Sequence, residues 1–246
     1  MKYAGILAGG SGSRLGSEVP KQFLMLGNKP ILVRSVMNFL GANCFDGVIV
    51  AVKADWIGYA RDLLDNFLPG KMFRRVHIIE GGSDRTDSML RVIDEAKRLA
   101  AQNGESDTDS ILLATHDAAR PFTPVEVIRE NVLMAEREGC AGTAVAATDT
   151  IFISADGEQI DDIPDRRMMF QAQTPQTFRV GKFLAALGSL TPEQRAEVTD
   201  MCGVFTRAGV PVGFSRGDVR NIKITTPMDM AVGECIAKEF DEANDN

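Results

Sequence analysis

YAGILAGGSGSRLGSEVPKQFL, residues 3–24, is an apolar run that breaks into a glycine-rich turn and is followed by two cations. The run Tyr3–Ala8 predicts a buried strand. In the turn Gly9–Ser13, glycines allow consecutive backbone N–H groups to point into one concave site, which suits phosphate oxygens. Arg14 and Lys21 would add full positive charge against a polyanionic nucleotide. The simpler alternative is an ordinary strand-to-helix turn with two solvated cations.

Two common phosphate-binding motifs do not match this turn. A P-loop closes with Gly-Lys followed by Ser or Thr, whereas Gly16 is followed by Ser17 and Glu18. A dinucleotide-binding fingerprint requires a third small residue three positions after Gly12, where the chain has Leu15. The spacing instead resembles the nucleotidyltransferase signature Gly-x-Gly-x-Arg followed by Pro-Lys, in which the arginine and lysine grip the triphosphate that is split.

Composition and net charge indicate a soluble globular enzyme. The chain has 246 residues, of which 44% are hydrophobic and 25% are charged, so a sizeable core is available for one large α/β domain or two small ones. The net charge of −7 argues against a protein that binds nucleic acid through a broad basic face. Any cationic site must therefore be local, and the region around Arg14 and Lys21 is the best candidate.

Several classes of partner are not expected from this composition. No apolar run approaches the roughly 20 residues needed to span a bilayer, and the first residues lead into a strand without the basic and apolar regions of a signal peptide. The four cysteines are widely scattered and are typical of reduced thiols. We therefore expect a cytoplasmic protein with no nucleic-acid partner, no membrane partner and no zinc site.

Short apolar runs alternate with helical patterns along the chain. Strands are predicted at Tyr3–Ala8, Gly47–Lys53, Arg75–Glu80, Ser110–Thr115, Ala141–Ser154 and Val210–Ser215. Helices are predicted at Pro30–Phe39, Trp56–Phe67, Thr86–Ala101 and Pro124–Glu138. This alternation predicts an α/β fold, Rossmann-like, with a mostly parallel sheet flanked by helices.

Helix starts are marked by capping sequences. Thr123-Pro124-Val125-Glu126 predicts a capping box with proline at the first helical position, and Thr191-Pro192-Glu193-Gln194 repeats the pattern. Thr226-Pro227 predicts the start of the last helix. We expect that helix to end near Lys238 and to leave residues 239–246 as an acidic, frayed tail.

The region 141–178 is less regular than the rest of the chain. It contains a turn at Asp156-Gly157 between apolar runs, which predicts a β-hairpin arm that projects from the main sheet. No internal repeat or low-complexity linker divides the sequence. Residues 1–238 are therefore expected to form a single domain that carries this arm.

A second candidate segment is THDAARPF, residues 115–122. It directly follows an apolar run and therefore lies at the carboxyl end of a predicted strand, where open α/β sheets place their ligand crevice. Asp117 could hold a Mg²⁺ ion, which prefers carboxylate, phosphate and water oxygens, or it could cap the following turn. We interpret His116 as a hydrogen-bonded structural imidazole rather than a proton-transfer group. Arg120 is a candidate partner for a local acid.

Two more segments lie close to predicted helix starts. In GGSDRTDS, residues 81–88, the glycines permit close backbone approach and the polar side chains could bind a base or ribose. The alternative is a loop with Ser83 or Thr86 as the N-cap of the next helix. In NIKITTP, residues 221–227, Lys223 interrupts an apolar alternation just before a helix. Taken alone, such a lysine would be interpreted as solvated.

These segments occur in an order that is typical of one family. They are Ala8–Arg14, Pro20–Gln22, Gly81–Ser88, His116–Pro121, Thr174–Gln176 and Asn221–Thr225. Over about residues 2 to 238 the chain resembles the cytidylyltransferases that make CDP-linked polyol phosphates, which include ribitol 5-phosphate cytidylyltransferase and 2-C-methyl-D-erythritol 4-phosphate cytidylyltransferase. The resemblance implies an enzyme that uses CTP and Mg²⁺. It also implies a homodimer in which the arm of one subunit reaches the site of the other.

The resemblance implies roles for individual residues as well. Arg14, Lys21 and Lys223 would be catalytic cations that stabilise charge on the α-phosphate. Nucleotide contacts would come from Ala8, Gly9, Gly10, Ser11, Gly12, Ser13, Gly82, Arg85, Ser88 and Ala118. The incoming polyol phosphate would be bound by Asp149, Thr150, Arg166 and Thr174. Asp117 would be the metal ligand.

The two branches of this family differ in the polyol. Leu7–Gly10, Lys53–Ile57, Thr115–Asp117 and Gln171–Gln176 look more like the ribitol 5-phosphate branch, whereas Ala118–Pro121 suits the methylerythritol branch at least as well. We therefore expect D-ribitol 5-phosphate as the substrate, with CDP-ribitol and pyrophosphate as the products. The alternative is 2-C-methyl-D-erythritol 4-phosphate, a substrate of isoprenoid synthesis.

Two other classes of protein are alternatives to this expectation. A sugar-1-phosphate nucleotidyltransferase shares the first loop, but the Thr-Pro-Gln and Asn-Ile-Lys-Ile-Thr segments argue against it. A non-catalytic nucleotide-binding homologue predicts the loss of Arg14, Lys21, Asp117 or Lys223, and all four are present. We therefore expect an enzyme in which a phosphate oxygen attacks the α-phosphorus of CTP in line, a reaction that depends on positioning and charge stabilisation.

Overall fold

The computed structural model describes residues 1–10 and 19–244, with side chains described as far as Asp241. Within these residues, seven strands form one sheet in the order β5-β4-β1-β6-β8-β7-β9. They are β1 (Lys2–Ala8), β4 (Gly47–Val52), β5 (Val76–Glu80), β6 (Leu112–Asp117), β7 (Cys140–Ala146), β8 (Phe170–Arg179) and β9 (Gly213–Arg216). A separate antiparallel pair is formed by β2 (Met25–Leu26) and β3 (Lys29–Pro30).

The main sheet is parallel except at β8, which runs antiparallel to both of its neighbours. Helices pack against the sheet and connect its strands. They are α1 (Ile31–Gly41), α2 (Ile57–Phe67), α3 (Gly70–Phe73), α4 (Arg85–Gln102), α5 (Val125–Glu138), α6 (Val180–Ser189), α7 (Pro192–Ala196), α8 (Met201–Arg207) and α9 (Pro227–Asn244). The predicted Rossmann-like α/β architecture is therefore confirmed. Within the described part of the chain, every helix is too short or too polar to span a lipid bilayer.

Strand β4 shows how the core is divided between the two faces of the sheet. All six of its residues are buried, as expected for a strand covered by helices on both sides. Because side chains alternate between faces along a strand, Val48 and Val50 pack in one cluster with α1 and α2. Ile49 and Ala51 pack in the other cluster, with α4, α6 and α8.

The chain crosses to the other side of β1 after β5. Strand β4 pairs with one edge of β1 and β6 pairs with the other edge, both in parallel. The connections that leave the carboxyl ends of β1 and β6 therefore diverge, which opens a crevice between them. This is the end of the sheet at which the glycine-rich turn and Asp117 were predicted to lie.

Two strand starts differ from the predictions, and local hydrogen bonds account for them. The strand predicted to begin at Ser110 begins at Leu112, because Asp107 accepts a hydrogen bond from the N–H of Asp109 and stabilises a 3₁₀ turn at Thr108–Ser110. The last edge strand begins at Gly213 instead of Val210, whose N–H is bonded to Phe205 at the end of α8.

The arm is less regular than a β-hairpin. The strand predicted to reach Ser154 ends at Ala146, and residues 147–169 are largely exposed. Within that segment a bridge pairs Ile153 with Asp162. The arm leaves the main sheet at the end of β7 and returns to it at the start of β8.

Two predictions about helix ends are wrong and one is confirmed. Thr123 does not cap α5, because its hydroxyl donates instead to Oδ1 of Asn221 at 2.8 Å, and the helix begins after Pro124 without a side-chain cap. The last helix continues past Lys238 to Asn244, and Asp241 forms an ion pair of 2.6 Å with the buried Arg34. The capping box at Thr191 is present as predicted.

Candidate active site

A cleft of about 360 Å³ lies beyond the carboxyl ends of β1 and β6. Its volume is within the range of small-molecule sites. It is lined by Leu7, Ala8, Gly9, Gly10, Lys21, Gln22, Gly82, Ser83, Asp84, Arg85, Ser88, Asp117, Ala118, Ala119 and Lys223. Segments that are more than 200 residues apart in the sequence therefore meet at this edge of the sheet.

Asp117 is the last residue of β6 and carries the central negative charge of the cleft. Its Oδ1 accepts a hydrogen bond from Nη2 of Arg85 at 3.2 Å, and its Oδ2 accepts one from Nζ of Lys223 at 2.8 Å. Burial by itself would raise the pKa of this carboxyl. The two neighbouring cations outweigh the burial and hold the pKa of Asp117 far below its usual range, so the group is ionised.

Arg85 is the first residue of α4, and the loop before it is held by short polar contacts. Asp84 is the N-cap and accepts a hydrogen bond from the N–H of Asp87 at 2.8 Å. The predicted alternatives, Ser83 and Thr86, do not cap the helix. The hydroxyl of Ser88 accepts a hydrogen bond from the N–H of Gly82 at 2.9 Å, so Ser88 stabilises the loop from inside the first turn.

The guanidinium of Arg85 has unused hydrogen-bonding capacity. Its Nη1 is buried and has no hydrogen-bond partner among the described residues. A buried donor without a partner costs free energy. An anionic ligand in the cleft would supply acceptors at this position.

Lys21 and Gln22 lie in a 3₁₀ turn, Lys21–Phe23, that faces the end of β1. Nζ of Lys21 donates to the carbonyl oxygen of Ile224 at 2.8 Å. The buried amide of Gln22 donates to the carbonyl oxygens of Ala8 at 2.6 Å and Gly10 at 3.2 Å. Gln22 therefore fixes the backbone at the entrance to the glycine-rich turn.

His116 is completely buried, and both of its ring nitrogens lie at hydrogen-bonding distance from partners. Nδ1 is 2.8 Å from Oγ1 of Thr174, and Nε2 is 3.0 Å from the carbonyl oxygen of Arg120. Burial lowers the pKa of His116 to about 4, so the imidazole is neutral near pH 7. These contacts support the structural interpretation of this histidine.

Arg120 does not pair with a local acid in the described part of the chain. Its guanidinium donates to the carbonyl oxygens of Asn221 at 2.8 Å and Ala172 at 3.4 Å. It therefore joins the loop after β6 to strand β8 and to the segment between β9 and α9.

The predicted polyol-phosphate residues are divided between two places. Thr174 is buried in β8, and its Oγ1 accepts a hydrogen bond from the N–H of Asp117 at 3.2 Å. Asp149, Thr150 and Arg166 lie on the exposed arm and do not line the cleft of their own chain. Arg166 donates instead to the carbonyl oxygen of Thr148 at 2.8 Å.

The remaining predictions concern the glycine-rich turn and the nucleotide. Ala8, Gly9, Gly10, Gly82, Arg85, Ser88 and Ala118 all line the cleft, as do Lys21 and Lys223. Ser11, Gly12, Ser13 and Arg14 lie outside the described residues. Gln22 and Asp84 were missed by the sequence analysis. Gln22 directly follows the Pro-Lys pair, but nothing in a sequence shows that its amide is buried against two carbonyl groups.

The donor set fits a magnesium ion only in company with substrate phosphates. Among the described residues, no group of three or more His, Cys, Asp or Glu side chains is arranged to hold a metal. Mg²⁺ is commonly bound through one or two carboxylates together with substrate phosphates and water. The single ionised carboxylate of Asp117 matches that requirement.

Comparison with known proteins identifies the family. The model of the family described as IspD, 2-C-methyl-D-erythritol 4-phosphate cytidylyltransferase, matches residues 3–239. The 4-diphosphocytidyl-2C-methyl-D-erythritol synthase of Anaerococcus prevotii is similar in structure, with a TM-score of 0.78 and 22% identity over 96% of each chain. The Francisella tularensis 2-C-methyl-D-erythritol 4-phosphate cytidylyltransferase has a TM-score of 0.73 and 24% identity, over 94% of this chain and 97% of that one.

A third solved structure, of a 4-diphosphocytidyl-2C-methyl-D-erythritol synthase, has a TM-score of 0.72 and 25% identity, over 96% of this chain and 98% of that one. The expectation of a ribitol 5-phosphate enzyme is therefore wrong, because the family model names the methylerythritol branch.

The structure explains why two of the residues used for that choice, Thr115 and Gln176, were uninformative. The hydroxyl of Thr115 is buried against the carbonyl oxygen of Gln176, and the amide of Gln176 is bonded to Asp200 and Met201. Packing, rather than contact with the polyol, accounts for the presence of these residues.

The chain belongs to the 2-C-methyl-D-erythritol 4-phosphate cytidylyltransferase (IspD) family and is a CTP-dependent nucleotidyltransferase.

Proposed function

We propose that the protein transfers CMP from CTP to 2-C-methyl-D-erythritol 4-phosphate and releases pyrophosphate. The observation that carries this proposal is the presence of Lys21, Arg85, Lys223 and the ionised Asp117 in one cleft, in a chain that matches the family model over residues 3–239. Such a constellation suits a reaction in which one phosphate group attacks another.

The chemistry requires charge stabilisation and alignment rather than proton transfer. The attacking phosphate of the polyol is already anionic, so its oxygen can displace pyrophosphate at the α-phosphorus without a general base. Lys21 and Lys223 would stabilise the charge that develops on the α-phosphate, together with Arg14. Neutral His116 is bonded to Thr174 and the Arg120 carbonyl, away from any such role.

The residues of the cleft suggest how the nucleotide is held. The backbone of Gly9 and Gly10 would contact the triphosphate, since glycine permits close approach. Gly82, Arg85, Ser88 and Ala118 would surround the cytosine and ribose. Asp117 would hold Mg²⁺ beside the phosphates, and this ion would neutralise part of the triphosphate charge.

The arm supports a proposed homodimer with shared sites. It carries Asp149, Thr150 and Arg166, which are remote from the cleft of their own chain. Large apolar side chains on the same arm are exposed, including Phe152 at 55%, Ile160 at 57% and Met168 at 73%. A second copy of the chain would bury this surface and bring the three polar residues to the neighbouring cleft.

The expected cytoplasmic location stays a prediction.

A pyrophosphate-release assay tests the proposed reaction. With CTP and Mg²⁺, the protein is expected to release pyrophosphate with 2-C-methyl-D-erythritol 4-phosphate at least about tenfold faster than with D-ribitol 5-phosphate. Lys21→Ala is expected to slow turnover by roughly 10²–10³, by analogy with the loss of an oxyanion donor. The exposed Lys53, which does not line the cleft, supplies a matched control as Lys53→Ala. Equal rates with the two polyols, or none with either, would contradict the proposal.

A further inference from the structure

Asn221 lies two residues before Lys223 and is completely buried. Its side-chain Oδ1 accepts a hydrogen bond from the hydroxyl of Thr123 at 2.8 Å. Its Nδ2 donates to the carbonyl oxygen of Thr174 at 2.9 Å and to Oε1 of Gln173 at 3.2 Å. One amide therefore joins the start of α5 to β8 and to the segment that carries Lys223.

The backbone around Asn221 is held by the same neighbours. Its carbonyl oxygen accepts a hydrogen bond from Arg120 at 2.8 Å. Its N–H donates to the carbonyl oxygen of Asp218 at 3.0 Å, and that oxygen also accepts from the amide of Gln173 at 2.9 Å. Three residues further on, the N–H of Ile224 donates to Ala119 at 2.8 Å. The segment 218–224 is thus tied at both ends to the base of the cleft.

The groups that this segment contacts lie in or beside the cleft that contains Asp117. Lys223 contacts Oδ2 of Asp117, and the carbonyl oxygen of Ile224 accepts the hydrogen bond from Lys21. Thr174, whose carbonyl oxygen accepts from Asn221, presents its hydroxyl to the N–H of Asp117. The Asn221 amide is therefore bonded to the strand that presents the Thr174 hydroxyl to Asp117, and it belongs to the segment that contacts Lys21 and carries Lys223.

We propose that Asn221 is a positioning residue for the cytidylyl transfer, acting through Lys223 and Thr174. Asparagine suits this role because it offers one acceptor and two donors in one plane. Aspartate has the same shape, but it would place an oxygen against the oxygens of Thr174 and Gln173. A buried acceptor that loses its donor costs free energy unless the segment moves. This inference rests on the proposed function, because the kcat measurements that test it use the proposed reaction.

Asn221→Asp is the variant that tests this role. We expect kcat to fall by up to about 10²-fold, because small misplacements of groups around a reacting centre carry losses of that size. The KM for CTP is expected to change much less, since Arg85, Ser88 and the glycine backbone are untouched.

Asn131 in α5 offers a matched control. It is also completely buried, and its amide bonds to Ser215, Ala141 and Thr177. Asn131→Asp introduces the same atoms into an equally buried network that has no hydrogen bond to the Lys223 segment. It is expected to lower the melting temperature while leaving kcat of the folded enzyme within about threefold of wild type. An equal fall in kcat in both variants would show a general effect of core damage and overturn the proposal.

Thr123→Val provides a milder variant that keeps Asn221. It removes the hydrogen bond to Oδ1 and leaves the two bonds from Nδ2 in place. We expect a smaller fall in kcat in the same direction. If Asn221→Asp does not fold, an unchanged kcat in Thr123→Val overturns the proposal.

A double-mutant cycle separates positioning from a structural role. If Asn221 acts in part through Lys223, then Asn221→Asp should lower kcat by a smaller factor in a Lys223→Gln background than in the native background. If the two losses multiply in full, Asn221 does not act through this lysine and the proposal fails.

A crystal structure of Asn221→Asp tests the inference without reference to turnover. The distance between Nζ of Lys223 and Oδ2 of Asp117 is 2.8 Å in the native chain, and we expect this contact to be lost in the variant. An unchanged contact would overturn the positioning role. If native enzyme releases no pyrophosphate but this contact is lost in the variant, the proposed reaction fails and the structural part of the inference stands.

Discussion

His116 and Asp117 are adjacent at the end of β6, and the pKa of each is lowered by a different cause. As a result, one group is neutral and the other is charged. Asp117 faces two cations and remains charged. His116 is enclosed by the core, which lowers its pKa from 6.5 to about 4. A neutral imidazole can bond to Thr174 and to the Arg120 carbonyl without bringing a second charge beside Asp117. The charge of the site is therefore confined to groups that line the cleft.

The lowered pKa of His116 predicts a pH dependence of stability. Between about pH 6.5 and pH 4 the unfolded chain binds a proton at this residue and the folded chain does not. The free energy of unfolding should therefore fall as the pH drops through this window, by up to about 3 kcal/mol from His116. Asp117 contributes in the same direction but at lower pH, because its lowered pKa means that the folded chain stays ionised while the unfolded chain takes up a proton.

Urea unfolding at pH 7 and pH 5 measures this effect. We expect His116→Gln to lose much of the difference between the two pH values that the native protein shows. Burial also lowers the pKa of His77, the second histidine, so His77→Gln measures its separate share. An unchanged pH difference in His116→Gln would contradict the assignment of a buried neutral imidazole.

Helix α4 and strand β1 approach each other closely, and this contact places the Arg85 end of the helix over the cleft. A Cβ added at Gly5 would lie 2.5 Å from Cγ1 of Val92. Gly5→Ala is therefore expected to destabilise the protein by about 1–3 kcal/mol. In a Val92→Ala background the same change should cost less, because the clashing methyl group is gone.

Gly58 in α2 is the control for this packing prediction. A Cβ there would meet no atom within 4 Å. Gly58→Ala should therefore stabilise the protein, by roughly 0.4–1 kcal/mol. Chemical denaturation of the single and double variants measures these differences, and equal effects at Gly5 and Gly58 would disprove the close approach of α4 to β1.

At the scale of the whole molecule, the cleft and the arm occupy different parts of the chain. Lys21 lines the cleft, whereas Arg166 lies on the arm. If each active site combines the cleft of one subunit with the arm of its partner, variants at these two residues should complement each other. A heterodimer of Lys21→Ala with Arg166→Ala contains one site with both defects and one intact site.

Mixing the two inactive variants tests this arrangement. After unfolding and refolding together, an equal mixture should recover roughly a quarter of native activity, because half of the dimers are mixed and each has one intact site. A mixture of Lys21→Ala with Lys223→Ala, both cleft residues, should recover none. Absence of recovery in the first mixture would show that the arm does not complete a partner's site.

The sequence by itself determined the fold class, the edge of the sheet that bears the site and the family. The fold class and the edge rest on local signals: strand and helix periodicity, a glycine turn after β1, and a carboxylate at the end of β6. The family was indicated by the resemblance of six motifs that occur in a typical order. Arg85, Asp117 and Lys223 were each identified because they occupy specific positions within short motifs. Such signals depend on residues that are close in the sequence.

Only the tertiary structure decided how those residues act on each other. The ion pairs at Asp117, the amide of Gln22 against Ala8, and the use of Thr123 as a partner of Asn221 instead of a helix cap all join distant segments. The choice of polyol branch relied in part on Thr115 and Gln176, which are held by buried hydrogen bonds between distant segments. Hydrogen bonds over 98 residues, as between Thr123 and Asn221, depend on the folded arrangement of strands and leave no periodicity in the sequence.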